Sequence, residues 1–195
     1  CHPDDSFFQF CTELLDLYRK NNKIAHISGS KYLSLKENNE SYYFSRYSIE
    51  WGWATWKDRW VRYDGNMKDW PKVKGSREFE NLFHDRKIKA YWTWIFDNCY
   101  AGTINSWAYK WLYKNLIDGM FSIIPTNNLI RNVGLGADST NTKTKNVNLL
   151  QPVIPIEFPL KHPKKILWND KFDDLQGKQL YSKSTLWLEL ITKRL

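Results

Sequence analysis

The chain has 195 residues, of which 42% are hydrophobic and 26% charged, with a formal charge of +8. That length suits one domain or a large part of one, able to bury about 70% of its unfolded surface. No apolar run approaches the roughly 20 residues of a membrane span, and no signal peptide is visible. Cys1, Cys11 and Cys99 show neither a paired framework nor a metal-ligand spacing, and the lysines are scattered, as at Lys72 and Lys74 or Lys87 and Lys89. Those features set aside disulfide scaffolds, cysteine-based zinc sites and the long basic helix of many nucleic-acid binders. They point to a reducing, cytoplasmic setting.

Taken in order, Asp4 and Asp5 lead into a helix with Phe7, Cys11, Leu14, Leu15 and Tyr18 on one face, and Ser6 and Gln9 stand at capping-box spacing. Ile24 to Ser28 reads as a short strand closed by Gly29, and Tyr42 to Tyr47 is aromatic and β-prone. The stretch from Ser45 to Tyr63 reads SRYSIEWGWATWKDRWVRY and holds four of the eleven tryptophans, Trp51, Trp53, Trp56 and Trp60, within ten residues. Indoles this dense serve either as core or as a flat apolar platform for the face of a sugar ring, with Glu50, Thr55 and Lys57 at hand for its hydroxyls. Ala54 to Tyr63 fits one helix, on which Trp56 and Trp60, four apart, read as core; for Trp51 and Trp53, on either side of Gly52, both readings stand.

A loop with Asp64, Gly65, Pro71 and Gly75 follows, then helices over Ser76 to His84, Lys87 to Tyr100 and Ser106 to Ile117. Phe121 to Ile124 and Leu129 to Val133 read as strands. Gly134 to Thr142 is glycine-rich, polar and aperiodic, a loop of the kind that carries binding groups. Four prolines from Pro152 to Pro163 make the next segment extended, and Ser184 to Arg194 is a last amphipathic helix. That helix, with Leu186, Trp187, Leu190 and Ile191 against Lys183, Lys193 and Arg194, either packs on its own domain or rests on an anionic membrane face. The expected class is α/β, helix-rich with a few short strands.

Three segments together resemble bacterial glycosyltransferases of the nucleotide-diphospho-sugar type, family 2-like, with the GT-A fold. They are CHPDDSFFQFCTELLDLYRKNNKIAHISGS, then SRYSIEWGWATWKDRW, the most specific, and SWAYKWLYKNLIDGMFSIIPTNNLIRNVGLGADSTNT, with a weaker EFPLKHPKKI after them. The resemblance implies a truncated GT-A fold. Residues 1–150 would be the C-terminal, acceptor-side half, and 151–195 a proline-rich wrapping segment and terminal helix of the same domain. It also implies that a nucleotide-binding half, ending in an acidic cluster that holds Mn or Mg, precedes Cys1, so no metal ligand is expected here and the chain alone should not transfer sugar. The parent enzyme would move a sugar from a nucleotide-sugar donor to a saccharide or lipid-linked acceptor in cell-surface glycan synthesis.

Carried over residue by residue, Asp138 is the catalytic carboxylate, and Trp51, Gly52, Trp53, Trp107, Asn132, Gly134, Gly136 and Asn141 contact substrate. The chain departs from the family at Ala108, where an aspartate is usual, and at Asn141, where a histidine is usual. The alternative is a non-catalytic carbohydrate-binding module. Nucleic acid is not an expected partner. Donor, acceptor, linkage and stereochemistry are left open.

Overall fold

A computed structural model describes residues 1–33, 39–133 and 151–181. Among these the fold is mixed α/β, with seven helices and two small sheets. The main sheet has the order β3-β5-β2-β4, built from β2 (Ile24–Ser28), β3 (Tyr42–Ser45), β4 (Trp53–Ala54) and β5 (Phe121–Pro125). The central pair, β2 and β5, is parallel, and both outer strands run antiparallel to their neighbours. Every residue of β2 and β5 is buried, as expected of parallel strands covered on both faces, and both read as apolar runs rather than as alternation.

The second sheet pairs β1 (His2–Pro3) with β6 (Ile130–Arg131). A ladder of main-chain bonds joins it to the end of β2: Asp4 N–H donates to Leu129 O (2.8 Å), Leu129 N–H to Gly29 O (2.8 Å) and Gly29 N–H to Gly52 O (2.6 Å). The start of the chain, the end of β2 and the Trp-Gly-Trp turn therefore meet at one place.

Helix α1 (Asp5–Leu17) buries Phe7, Phe10, Cys11 and Leu14 against Ile24, Ile27, Tyr42, Phe44 and Ile123. Its cap is Asp4, whose carboxylate accepts from Ser6 N–H, rather than the Ser6–Gln9 box. Ser6 instead donates to Asp4 and accepts from Ile156 N–H, fastening the proline-rich segment to the helix start. Strand β3 obeys the two-residue period: Tyr42 and Phe44 face α1, whereas Tyr43 stacks edge-on with Phe172 at 5.0 Å and Ser45 bonds Asp173.

The second layer is α5 (Arg86–Tyr100) and α6 (Trp107–Ile117), packed with Trp70, Phe79, Tyr91, Trp92 and Phe96 in a largely aromatic core. Both begin on a side-chain cap, Asp85 to Lys87 N–H and Ser106 to Tyr109 N–H.

Four expectations are corrected. Ala54 to Tyr63 is not one helix: β4 holds Trp53 and Ala54 extended on β2, Thr55 Oγ1 donates to Ala25 O, and only α2 (Lys57–Trp60) turns. The stretch 76–84 contains one helical turn, α4 (Arg77–Glu80). The presumed loop contains another, α3 (Trp70–Val73), whose Pro71 sits in the first turn where a missing N–H is harmless. Beyond the prolines, Asp170–Leu180 forms α7, capped by Asn169. The terminal stretch 184–194 lies outside the described residues.

Helix α7 was hidden because its buried stripe is partly polar: Phe172, Asp173, Gln176, Gly177 and Leu180. Asp173 accepts from Ser45 Oγ (2.6 Å), Arg46 N–H (2.9 Å) and Arg46 Nε (3.1 Å). Arg46 also donates to Asp170 and to Leu82 O, and lies over Trp168 at 5.0 Å. At Gly177 a Cβ would meet Ile88 Cδ1 at 2.4 Å, so glycine permits the close approach to α5. No helix among the described residues is long and apolar enough to cross a membrane.

Candidate functional site

In open α/β sheets ligands bind beyond the carboxyl ends of the parallel strands, where loops gather on a rigid base. Here that end carries the 48–53 turn. Ser28 Oγ accepts from Ile49 N–H (3.1 Å), His26 Nε2 lies 3.1 Å from Ile49 O, and Ser30 Oγ donates to Trp51 O (2.7 Å). Three side chains of β2 and its exit thus hold the main chain on both sides of Glu50.

Gly52 makes the bend. Its φ is +65°, which L side chains avoid, and a Cβ would lie 2.3 Å from Ile130 Cδ1. After it, Trp53 pairs with Ser28 in β4 and turns its indole over His26, with ring centres 5.1 Å apart and planes within 8°.

His26 is fully buried, and its tautomer follows from its partners. The indole N–H of Trp111 can only donate, so Nδ1 accepts (3.2 Å) and Nε2 carries the hydrogen given to Ile49 O. Burial pushes its pKa down to about 4. At neutral pH it is a neutral strut under Trp53, and not a proton carrier.

From Trp53 an aromatic surface spreads outward. Trp107 stacks on it at 5.4 Å, Trp60 lies at 5.6 Å, and Tyr63 stacks flat on Trp60 at 4.9 Å. Trp107 and Trp60 remain 43% and 37% exposed. The expectation of Trp60 as core is therefore corrected: ending the helix after one turn leaves its ring on the platform. Trp56 is core as expected, 8% exposed, with its N–H on Leu15 O and Arg59 over its ring.

Trp51 lies on the other side of Gly52. It packs against the α1 core and meets Tyr32 edge-on at 5.5 Å. It is a flank of the turn, separate from the stacked Trp53–Trp107 surface. Asn132 is half-buried, one residue past β6. Gly134, Gly136, Asp138 and Asn141 lie outside the described residues.

Composition and pattern do not single out Glu50 as ionisable near neutrality. It is half-buried, Ser48 Oγ donates to its Oε1 (2.6 Å), and burial pushes its pKa up to about 7, with the Ser48 bond pulling the other way. The hydroxyl of Tyr32 is held well above the usual tyrosine range, first by burial and then by Glu50 and Tyr109. The first turn of α6 thus bears on both halves of the site, with Trp107 on Trp53 and the hydroxyl of Tyr109 acting electrostatically on that of Tyr32. A signal was present in the sequence: an acid inside an aromatic cluster, next to a glycine turn.

A carboxyl whose folded pKa lies above its unfolded value of 4.5 weakens the fold as pH rises from about 4.5 to 7, because the unfolded chain gives up its proton first. Glu50→Gln should therefore be more stable than the parent by about 2–3 kcal/mol at alkaline pH, with the gain vanishing in acid. Urea denaturation of both proteins across that range checks this.

Two other places carry less. A cleft of about 180 Å³ opens beside Arg46, His84, Trp168 and Asp170, but each guanidinium nitrogen of Arg46 already donates to Asp173, Asp170 or Leu82 O. Among the described residues no three His, Cys, Asp or Glu side chains come together as a metal-binding group.

Compared with protein-family profiles, curated proteins and solved structures, the chain matches none of them.

Proposed function

We propose that this chain is the acceptor-binding part of a glycosyltransferase of the GT-A type. The parent enzyme uses a nucleotide-sugar donor and a saccharide or lipid-linked acceptor, on the cytoplasmic side of the membrane. The observation that carries this reading is the partly exposed Trp53–Trp107–Trp60 surface at the carboxyl end of β2, with a half-buried carboxyl, Glu50, in the same 48–53 turn. A sugar ring has an apolar face of C–H groups and a rim of hydroxyls. Stacked indoles suit the first, as large rigid surfaces with little entropy to lose. A carboxylate suits the second, because charge-assisted hydrogen bonds are the stronger ones.

Two experiments test the reading. Intact protein, supplied with manganese, uridine- and guanosine-diphosphate sugars and a panel of oligosaccharides, is expected to release nucleoside diphosphate in an acceptor-dependent way. No turnover across the panel, with glycan binding retained, would instead favour a non-catalytic carbohydrate binder. Trp107→Ala tests the platform: its ring is partly exposed, so glycan affinity should fall about tenfold or more while stability falls by only about 1–3 kcal/mol. Titrating intrinsic fluorescence against the same oligosaccharides reads the affinity, and unchanged affinity would remove the platform from the site.

A further inference from the structure

We propose that Glu50 is the catalytic base that takes the proton from the acceptor hydroxyl. This rests on the transferase reading above and moves the acid–base role from the 134–142 loop to the turn that carries the tryptophans.

A sugar hydroxyl is a weak nucleophile, and a base positioned to receive its proton as the new bond forms contributes about 10²–10⁴ in rate. Such a base needs rigid placement, an oxygen aimed at the acceptor, and a proton affinity near working pH. Placement comes from Ser28, His26 and Ser30, which hold the main chain at Ile49 and Trp51. Orientation comes from Ser48, whose hydroxyl donates to Oε1 at 2.6 Å, and from the main-chain N–H of Glu50 itself, which also bonds the carboxyl. The third requirement follows from the half-buried setting, where no lysine or arginine among the described residues forms an ion pair with the carboxylate.

The groups facing Glu50 from neighbouring elements do not compete for this role. Tyr32, on the exit of β2, is held far above the range in which it would ionise, by burial and by the charges of Glu50 and Tyr109. His26 of β2 lies behind Ile49 with both nitrogens engaged and stays neutral. Thr55, near enough in sequence to serve a hydroxyl, is committed to Ala25 O.

The step balances as a single displacement. The acceptor O–H bond breaks and its proton passes to the Glu50 carboxylate; the acceptor oxygen forms a bond to the anomeric carbon of the nucleoside-diphosphate sugar. The bond from that carbon to the diphosphate oxygen breaks, and the nucleoside diphosphate leaves with the electron pair. Attack opposite the leaving group inverts the anomeric configuration.

The test compares intact wild-type protein with Glu50→Gln, Glu50→Asp and the control Glu157→Gln, using the nucleotide-sugar and oligosaccharide panel above. Glu50→Gln is expected to lower kcat by about 10²–10⁴ with a much smaller change in KM, and Glu50→Asp to recover part of the loss. Wild-type kcat should fall on the acidic side with a midpoint near 7, and this limb should be missing from the residual activity of Glu50→Gln. Because Glu50→Gln is expected to melt no lower than wild type at alkaline pH, a loss there is not unfolding. Wild-type turnover with an undiminished Glu50→Gln, or a product of retained configuration by NMR, would overturn the inference alone. Silence of the wild type across the whole panel would overturn both it and the transferase reading.

Discussion

Replacing Asp173 with alanine is expected to lower stability by about 3–5 kcal/mol, the usual loss when one member of a buried ion pair is removed. Asp173 is 2% exposed and accepts three hydrogen bonds, from Ser45 Oγ, Arg46 N–H and Arg46 Nε. Without it, Arg46 stays buried with only the exposed Asp170 and Leu82 O to meet its charge. The loss should be concentrated where α7 meets β3, because Tyr43 on Phe172 and Ser45 on Asp173 are its principal anchors there. Asp173→Asn keeps the shape and one acceptor, and should lose less. Urea unfolding gives the total, and hydrogen exchange along Asp170–Leu180 shows whether the helix opens first. Equal protection in mutant and parent would mean that the ion pair is not what holds α7.

Gly52→Ala should lower stability by about 2–4 kcal/mol, from two separable sources. An alanine at φ +65° loses about 1 kcal/mol or more to the left-handed backbone conformation, whatever surrounds it. The remainder is steric, since the added Cβ would meet Ile130 Cδ1 at 2.3 Å and Cγ1 at 2.5 Å, and overpacking of this kind costs about 1–3 kcal/mol. Ile130→Val removes the nearest of these atoms. In a double-mutant cycle it should therefore return about 1 kcal/mol to Gly52→Ala and leave the backbone part untouched. Strict additivity would show that the Cδ1 contact contributes nothing. The change should also weaken glycan binding, because Gly29 N–H donates to Gly52 O and Trp53 follows directly, so a shifted turn moves the platform.

The elements that were legible are those whose local chemistry and burial agree. Helix α1 shows its apolar stripe, α6 begins on Ser106 as its cap, and β2 and β5 appear as short apolar runs. Those that were not are decided by partners far along the chain. Trp56 and Trp60 share a helical spacing, yet one is buried and the other exposed, because β4 claims Trp53 and Ala54 for the sheet and leaves one turn of helix after them. The polar stripe of α7 became a buried one only against Arg46 and Ser45, more than 120 residues earlier.

The same division runs through the candidate site. From the sequence alone come the density of tryptophan around Gly52, the absence of a cysteine or histidine metal spacing, and the places of α1, β2, α5, α6 and β5, all of which rest on residue type and short-range spacing. Only the tertiary structure decided which rings share a surface. Trp53 joined Trp107 across 54 residues and was parted from Trp51 two residues away, because the Gly52 bend sends successive side chains to opposite sides. It also decided that Glu50, an ordinary acid in the sequence, is a carboxyl that holds its proton to about pH 7. That value is set by burial, which the hydrogen bonds from Ser48 and the main chain offset only in part, and burial is a property of the folded chain.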